Sequence, residues 1–434
     1  MSIREKTRLM KEVSPVLAAS DIELRNKALS AIADSLLDNR DAIFAANRTD
    51  LDNAEKAALP AAVIKRLAFN ESKLNGVLEG IKGLIGLDDP VGRILLDREL
   101  DSDLELKRIT CPIGVIGVIF EARPDALIQI STLCIKSGNC CLLKGGSETS
   151  NTNRELFRTI CNAAYGAGLP EGCLVQAEDR SEINELLECD EYVDLIIPRG
   201  SNSFVRYIMD NTRIPVMGHA DGVCHIFVDR GADPEMALRV IIDAKTQYVS
   251  VCNAAETLLI DEAIAGTFLP RLFEALNKAH VQINGTAQVR DLYASAGYDT
   301  TDFVVMNEDD FHREYLDYKL SIRIVGDVRE AVSHINRYGS HHTDSIITSD
   351  TDAAETFFRL VDSANVYHNC STRFADGFRY GFGAEVGVST SKLHARGPVG
   401  LDGLVTYKYL MTGNGHIVAD YAEGRSEFHF KDLK

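Results

Sequence analysis

No stretch of this sequence approaches the roughly 18 consecutive apolar residues that a bilayer-spanning helix requires. The opening MSIREKTRLMKEV is charged and amphipathic and has no apolar core of signal-peptide length. Neither membrane insertion nor secretion is expected, and the reading is a cytoplasmic protein. Positive charge is also scarce: 46 lysines and arginines stand against 64 acidic residues, a formal net charge of −18. That excess repels phosphate backbones and anionic lipid alike. No local basic patch offsets it, so small molecules are expected as partners, with no nucleic acid and no membrane. The ten cysteines form no CxxC pair and keep no ordered spacing, and most sit in apolar strings such as NCCLLK. They read as reduced core residues. His341 and His342 are adjacent in GSHHTDSIIT, but sequence neighbours share no face of a helix or strand, and no carboxylate stands at ligand spacing. No metal is expected, and no cysteine–histidine pairing is legible. Repeats, low-complexity tracts and linkers rich in Pro, Gly or Ser are missing too, so domain boundaries must come from pattern.

What is present points to an α/β protein. The chain has 434 residues and 45% hydrophobic content, enough for two or three domains around a large core. The first ninety or so residues keep apolar positions at helical spacing, with Ser20 or Asp21 available as a cap. From CPIGVIGVIF onward short apolar runs alternate with helix-length segments: NCCLLK, CLVQA, VDLIIP, IPVM, CHIFVD, ETLLID, DFVVM, SIRIV, SIITSD and ANVYHN. Such runs mark strands buried on both faces of mostly parallel sheets. They are too many for one ordinary open sheet, so two sheets in two domains are expected.

Two strand–turn–helix passages look able to hold a phosphate or ribose. In SGNCCLLKGGSETSNTNRELF a strand ends at Lys144, followed by Gly145, Gly146, Ser147 and Glu148 and then a capped helix. Glycines admit a ligand close to the backbone, the helix N-terminus offers free N–H groups, and the lysine supplies a point charge. The pattern is neither GxGxxG nor the Walker sequence. VDLIIPRGSNSFVRYIMD repeats the chemistry with Arg199, Gly200, Ser201 and Asn202.

Cys252 stands apart from the other cysteines. In QYVSVCNAAETLLID the sequence changes from extended to helical character around it, which would place the sulfur near a helix N-terminus that favours thiolate. The local sequence equally fits a buried cysteine at a strand end. Farther on, STRFADGFRYGFGAEVGVSTSKLHARGPVGLDGL is too polar for core and too long for a plain turn. It reads as a binding loop or an oligomer contact, with Arg373, Arg379 and Arg396 either salt-bridged or meeting an anionic substrate.

The strings PIGVIGVIFEARPDA, CIKSGNCCLLKGGSE, LIIPRG, GVCHIFVD, VCNAAETLLI, HTDSIIT, NCSTRFADGFRYGFGAEVGVSTSKLHARGPVGLDGL and TYKYL, in that order, resemble the gamma-glutamyl phosphate reductase family. The likeness covers essentially the whole chain and places it in the aldehyde dehydrogenase superfamily. It implies a Rossmann-type dinucleotide-binding domain over 1–94 and 112–232, an α/β catalytic domain over 233–400, and a small β oligomerisation arm over 95–111 and 401–434. By the same resemblance Cys252 takes the place of the family nucleophile. Lys144 stands where the superfamily contacts the adenosine ribose, with Gly145, Gly146, Ser147 and Glu148 beside it. Arg199, Gly200, Ser201 and Asn202 stand in the turn that faces the pyrophosphate. Glycine is sparser in that turn than in many relatives, and GHADG around His219 follows a variant pattern. Both variants look like the reductase half of the fused kinase–reductase enzymes of plants and animals. Because this sequence opens directly on the reductase-like portion, a glutamate 5-kinase is expected on a separate polypeptide. A homo-oligomer is implied as well.

The implied reaction is NADPH-dependent reduction of L-glutamyl 5-phosphate to L-glutamate 5-semialdehyde in proline biosynthesis. An acyl phosphate is already activated, so a thiolate that captures the acyl group and expels phosphate is the main requirement, and no general base for water is needed. Oxidising aldehyde dehydrogenases carry an asparagine and a glutamate base where this sequence reads FEARP and GHADGVC. Ala122 falls near the asparagine's place and no glutamate takes the base's place. The oxyanion donor nominated is the Cys252 backbone N–H. NADPH rests on the resemblance alone: Lys144 could support a 2′-phosphate, whereas Glu148 could bind a ribose hydroxyl pair. Arg123 and Arg373 are candidates for the substrate carboxylate and Glu121 for its ammonium, each in a polar break after an apolar run. The alternatives are an oxidising NAD(P)-dependent aldehyde dehydrogenase and a non-catalytic binding protein on the same fold, the retained Cys252 counting against the second.

Overall fold

Ser2 and Glu5 satisfy each other's backbone N–H groups at the start of α1 (Ile3–Ala18), and the Asp21 carboxylate accepts from the Leu24 N–H to open α2 (Ile22–Asp38). α3 (Arg40–Lys56), α4 (Ala61–Leu67) and α5 (Glu71–Ile85) complete the helical layer expected of the first ninety residues. The structure is a computed structural model and describes residues 1–121, 123–179, 181–383 and 385–433; Ala122, set against the asparagine above, lies outside them. The chain divides into two compact units. The first comprises Met1–Met217, Phe382–Gly387 and Val399–Lys434, and the second Gly218–Gly381 and Val388–Pro398.

In the first unit β1 (Ile94–Asp101) and β2 (Leu104–Pro112) pair antiparallel. There follow β3 (Val115–Phe120), α6 (Pro124–Lys136), β4 (Cys140–Lys144), α7 (Ser150–Ala167), β5 (Leu174–Ala177), α8 (Ser181–Leu187), β6 (Leu195–Arg199) and α9 (Asn202–Asp210). Strands β3 to β6 form a parallel sheet in the order β5-β4-β3-β6. Every residue of β3 and β4 is buried, with α1 and α6 packed on both strands. This is why VIGVIF and CCLLK read as continuous apolar runs rather than alternating ones.

The second unit runs through β7 (Cys224–Val228), α10 (Pro234–Thr246), β8 (Ala255–Asp261), α11 (Glu262–Lys278), β9 (Gln282–Gly285), α12 (Ala287–Ser295), β10 (Lys319–Val325), α13 (Val328–Tyr338), β11 (Thr343–Ile347), α14 (Thr351–Leu360) and β12 (Asn365–His368). The six strands pair in parallel in the order β12-β11-β7-β8-β10-β9. Ile226, Leu258, Phe273 and Leu320 are among the fully buried residues of its core. Two expected strands are not formed. IPVM makes only an isolated bridge, Ile196 with Val216, because Pro215 has no N–H to extend a ladder. DFVVM likewise bridges only at Gly285 with Val305, outside the edge strand β9, where Val304 and Val305 stay exposed.

Short strands β13 (Gly387–Ser389) and β14 (Gly397–Val399) pair with each other, and the chain ends with β15 (Val405–Thr412), α15 (Val418–Ala422) and β16 (Lys431–Asp432). β15 and β16 join the first hairpin as an antiparallel sheet in the order β15-β2-β1-β16, with Tyr407, Tyr409 and Met411 exposed on β15. All ten cysteines are free thiols, most of them buried. Among the described residues no helix is long and apolar enough to cross a membrane.

Candidate active site

Three loops of the second unit enter adjacent parallel strands at the same end of the sheet. His342 immediately precedes β11, the stretch from His219 to Gly222 leads into β7, and Cys252 stands three residues before β8. The strand order β11-β7-β8 therefore brings together residues far apart in the chain. The His219 and His342 rings meet edge-on with centroids 4.7 Å apart, and a nitrogen of each lies within 4.8 Å of the Cys252 sulfur. His219 Nδ1 is 2.8 Å from the Val388 carbonyl and His342 Nδ1 is 2.8 Å from Thr343 Oγ1. From the neighbouring strand the Cys224 thiol donates to the Cys252 carbonyl at 3.2 Å.

This environment sets the charge of the thiol. Burial alone pushes Cys252 up, but the adjacent His219 and His342 imidazoles outweigh it and hold the thiol well below its ordinary value. Burial likewise pulls His219 down, yet the Cys252 sulfur and the Val388 carbonyl together raise it to about 9. Each partner thus favours the charged form of the other, a thiolate beside an imidazolium, which is the reactive form of a nucleophilic cysteine. Two sequence expectations are corrected here. A cysteine–histidine cluster exists although none was legible, its histidines lying on loops more than 30 residues from Cys252 in either direction. The passage around Cys252 also runs from helix through turn to strand, the reverse of the expected order. NAAET has helix-forming composition, but burial of every residue of β8 overrides that preference. Two imidazoles, rather than a helix N-terminus, favour the thiolate.

The loop is held from both flanks. Lys245, near the end of α10, and Glu256, on β8, are both fully buried and 2.7 Å apart, and Glu256 also accepts from the Leu316 N–H. On the other side Asn253 donates to the Ala375 carbonyl, and the Thr372 hydroxyl donates to the Asn253 carbonyl. Arg373 belongs to this same segment. It is buried, its Nε donates to Gln247 Oε1 at 3.0 Å, and the Cys252 charge is among those acting on its guanidinium. Arg379 pairs with Asp376 and donates to the Arg373 carbonyl, and Arg396 pairs with Asp362, so these two are engaged within the protein.

The first unit gathers its predicted residues along one sheet edge. Parallel register sets Ile119 beside Lys144 and Phe120 beside Arg199, so Lys144 and Arg199 end their strands at the same side of the sheet where Glu121 and residues 200–202 directly follow theirs. Lys144 is buried and donates to the Gly145 carbonyl at 2.6 Å. A Cβ at Gly145 would stand 2.2 Å from Asn153 Nδ2, too close to fit without a shift, and one at Gly200 would stand 3.0 Å from the Glu121 carboxyl carbon, a tight contact with a side chain. Ser147 is exposed, Glu148 partly so, and Arg123 is exposed where α6 begins. A cavity of about 470 Å³ opens beside the second turn, lined by Glu121, Ser201, Ser203, Phe204 and Tyr207 among others. The expectation of free N–H groups is overturned at α7, which is reached through a single 3-10 turn, Ser147–Thr149. The Asp50 carboxylate, on α3, accepts from the Asn151 and Thr152 N–H groups and from the Thr152 hydroxyl. A carboxylate thus occupies the position an incoming phosphate would need at α7. At α9 the side chain of the N-cap residue, Ser201, makes no capping hydrogen bond among the described residues.

The sequence profile described as the aldehyde dehydrogenase family matches residues 3–290. The chain is 58% identical over 433 residues to a gamma-glutamyl phosphate reductase of Pelotomaculum thermopropionicum, covering 100% of this chain and 98% of that one. It is 49% identical over 434 residues to the protein of the same name from Nostoc punctiforme, again covering 100% and 98%. Among solved structures, the gamma-glutamyl phosphate reductase of Thermotoga maritima superposes with a TM-score of 0.91 at 40% identity, covering 95% of this chain and 99% of that one.

Proposed function

The chain belongs to the gamma-glutamyl phosphate reductases, a branch of the aldehyde dehydrogenase family with its nucleotide-cofactor fold, and from that premise we propose that it reduces L-glutamyl 5-phosphate to L-glutamate 5-semialdehyde through a thioester on Cys252. The observation that carries the reading is the Cys252 sulfur lying within 4.8 Å of a nitrogen of both His219 and His342, imidazoles that hold its thiol well below the ordinary value. The thiolate attacks the acyl carbon. As the C–S bond forms, the bond from carbon to the phosphate oxygen breaks and phosphate leaves with the electron pair, so no base is needed to activate water. In the GHADGVC passage it is an imidazole, not a carboxylate, that meets the sulfur, which supports a thioester slow to hydrolyse. The Cys252 backbone N–H is the proposed oxyanion donor.

NADPH is the proposed cofactor, and donation of a hydride to the thioester carbon is the chemistry it supplies when bound. The tight glycine turns at Gly145 and Gly200, the strand-end lysine and the cavity beside Ser201 suit a dinucleotide. In this reading Lys144, Gly145, Gly146, Ser147 and Glu148 hold the adenosine ribose, and Arg199, Gly200, Ser201 and Asn202 face the pyrophosphate, which Asp50 would repel from α7. Arg373, in the segment packed on the Cys252 loop, is proposed to meet the substrate carboxylate. Arg123 is the second candidate for that role, and Glu121 the candidate for the ammonium. We propose in addition that the enzyme works in the cytoplasm on acyl phosphate from a separate glutamate 5-kinase. Subunits would associate through the antiparallel arm, where the exposed Tyr407, Tyr409 and Met411 of β15 offer an apolar surface.

The test runs the reaction backwards, with glutamate semialdehyde supplied as its cyclic form together with NADP⁺. Cofactor reduction that requires inorganic phosphate supports the proposal, since phosphate is then what releases the thioester. Reduction independent of phosphate would mean an aldehyde-oxidising enzyme, and no reduction at all would mean a binding protein on this fold.

A further inference from the structure

The atoms that surround the nucleophile also make up a donor set for a metal. A nitrogen of His219, the Cys252 sulfur and a nitrogen of His342 all lie within 4.8 Å of one another. A carbonyl only accepts hydrogen bonds, so His219 Nδ1, 2.8 Å from the Val388 oxygen, carries a proton and leaves Nε2 as the ligating nitrogen. In His342 it is again Nδ1 that is tied down, to Thr343 Oγ1, while Nε2 is buried with no hydrogen-bond partner among the described residues. Anchoring each imidazole through the nitrogen that does not ligate is how proteins fix tautomer and ring orientation at a metal. A buried nitrogen without a partner costs free energy, and a coordinate bond would recover it.

We infer that His219, His342 and Cys252 form a site for one zinc ion, and that zinc bound there reversibly blocks the nucleophile. Two imidazoles and a thiolate with no carboxylate suit zinc and do not suit magnesium or calcium, which take oxygen ligands. Tetrahedral zinc, with Zn–S of about 2.3 Å and Zn–N of about 2.0–2.1 Å, puts its ligand atoms roughly 3.3–3.7 Å apart. Contraction by about an ångström from the observed spread meets that requirement. His219 and Cys252 are only partly buried, which gives the ion a way in and leaves a fourth position for water. Binding takes the thiolate and two neutral imidazoles, so the protons held by the cluster are released to solvent. A sulfur lone pair committed to zinc is unavailable to an acyl carbon. The inference does not depend on which acyl substrate the enzyme uses, because the metal is detected with no substrate present.

The experiment uses the full chain stripped with a chelator and titrated with cobalt as a spectroscopic stand-in, followed by zinc. We expect one tight cobalt per chain, a thiolate-to-cobalt charge-transfer band in the near ultraviolet, and its loss when zinc displaces cobalt. Zinc should also protect Cys252 from alkylation until chelator is added. Cys252→Ser, nearly isosteric, should lose the band, and His342→Ala and His219→Gln should each weaken binding at least tenfold. His342 is fully buried, so thermal melting checks its variant, and His219→Gln, at a partly exposed position, serves if that variant unfolds. Cobalt bound without the band, affinity unchanged in His219→Gln, or no binding up to millimolar metal would overturn the inference.

Discussion

Gly222 and Cys252 are in direct contact: a Cβ at Gly222 would stand 2.3 Å from the Cys252 carbonyl oxygen and 2.6 Å from the Cys252 Cβ. No side chain of any size fits, so the residue entering β7 must be glycine for the loop before β8 to lie where it does. Much of that contact is backbone, which cannot swing aside as a long side chain would.

Gly222→Ala should therefore displace the Cys252 loop. We expect a stability loss of about 1–3 kcal/mol, the range for overpacking, together with at least a tenfold fall in turnover and a slower alkylation of Cys252. Cofactor affinity, proposed above to reside in the first unit, should hold. Wild-type turnover in this variant would mean that the loop position is not what sets reactivity.

The state of the thiol can be measured apart from the reaction. With a chelator present, alkylation of Cys252 by iodoacetamide should show a midpoint well below that of a free thiol, about 8.5, because the imidazoles lower it. His219→Ala removes part of that charge, so the midpoint should move up and the rate at pH 6 should fall. Cys252→Ser should abolish reduction of the acyl phosphate while leaving cofactor affinity nearly unchanged. An ordinary thiol profile in the wild type would argue against the ion pair.

Much of this was legible because it is local. Lys144, Gly145 and Gly146 are consecutive, and a strand, a turn and a helix follow directly from their pattern. Cys252 was reached through the string VCNAAET. The histidines were not, because only the strand order β11-β7-β8 sets His342 and His219 against it, and nothing near Cys252 in sequence encodes that order. Asp50 was missed for a similar reason: a carboxylate on α3 caps α7 about a hundred residues later. Glu256 misled more directly, since a helix-forming, charged residue sits near the start of a buried strand with its charge met by Lys245.

Lys144 is buried at a strand end with its ammonium turned to the Gly145 carbonyl, which fits a lysine held ready for a ribose or phosphate. Lys144→Ala should raise the KM for the dinucleotide roughly tenfold or more, the scale of a lost hydrogen bond to a charged group. The alkylation rate of Cys252 should not move. An unchanged KM would assign Lys144 to packing alone.

Arg373 can serve the substrate, the fold or both. If it meets the glutamyl carboxylate, Arg373→Ala should weaken use of the glutamyl substrate by about 1.5–3 kcal/mol in kcat/KM. A simple acyl phosphate without the amino-acid head should lose much less. Equal losses on the two substrates would point to the contact with Gln247 and a damaged loop. Arg123→Ala, measured the same way, tests the second candidate, and no loss on either substrate would clear that arginine of the role.

The Lys245–Glu256 pair links stability to the position of Cys252. Burial governs both ends, lifting Glu256 to about 7 although Lys245 pulls it down, and lowering Lys245 although Glu256 raises it. Removing one partner leaves the other buried and uncompensated, so Lys245→Met should cost about 3–5 kcal/mol, whereas the double variant Lys245→Met with Glu256→Leu should recover most of that. The single variant should also be pH-sensitive in a defined direction. Without the ammonium, Glu256 keeps a folded-state pKa above its unfolded value of about 4.3. Its contribution is then fully present below that value and lost as pH rises through the folded one. Thermal melts should find Lys245→Met closer to wild type at pH 5 than at pH 8, with the double variant showing little such trend. If the double variant melts as low as the single one, the pair is needed for the loop's shape and not merely for charge balance, and its alkylation rate at Cys252 should then be depressed as well.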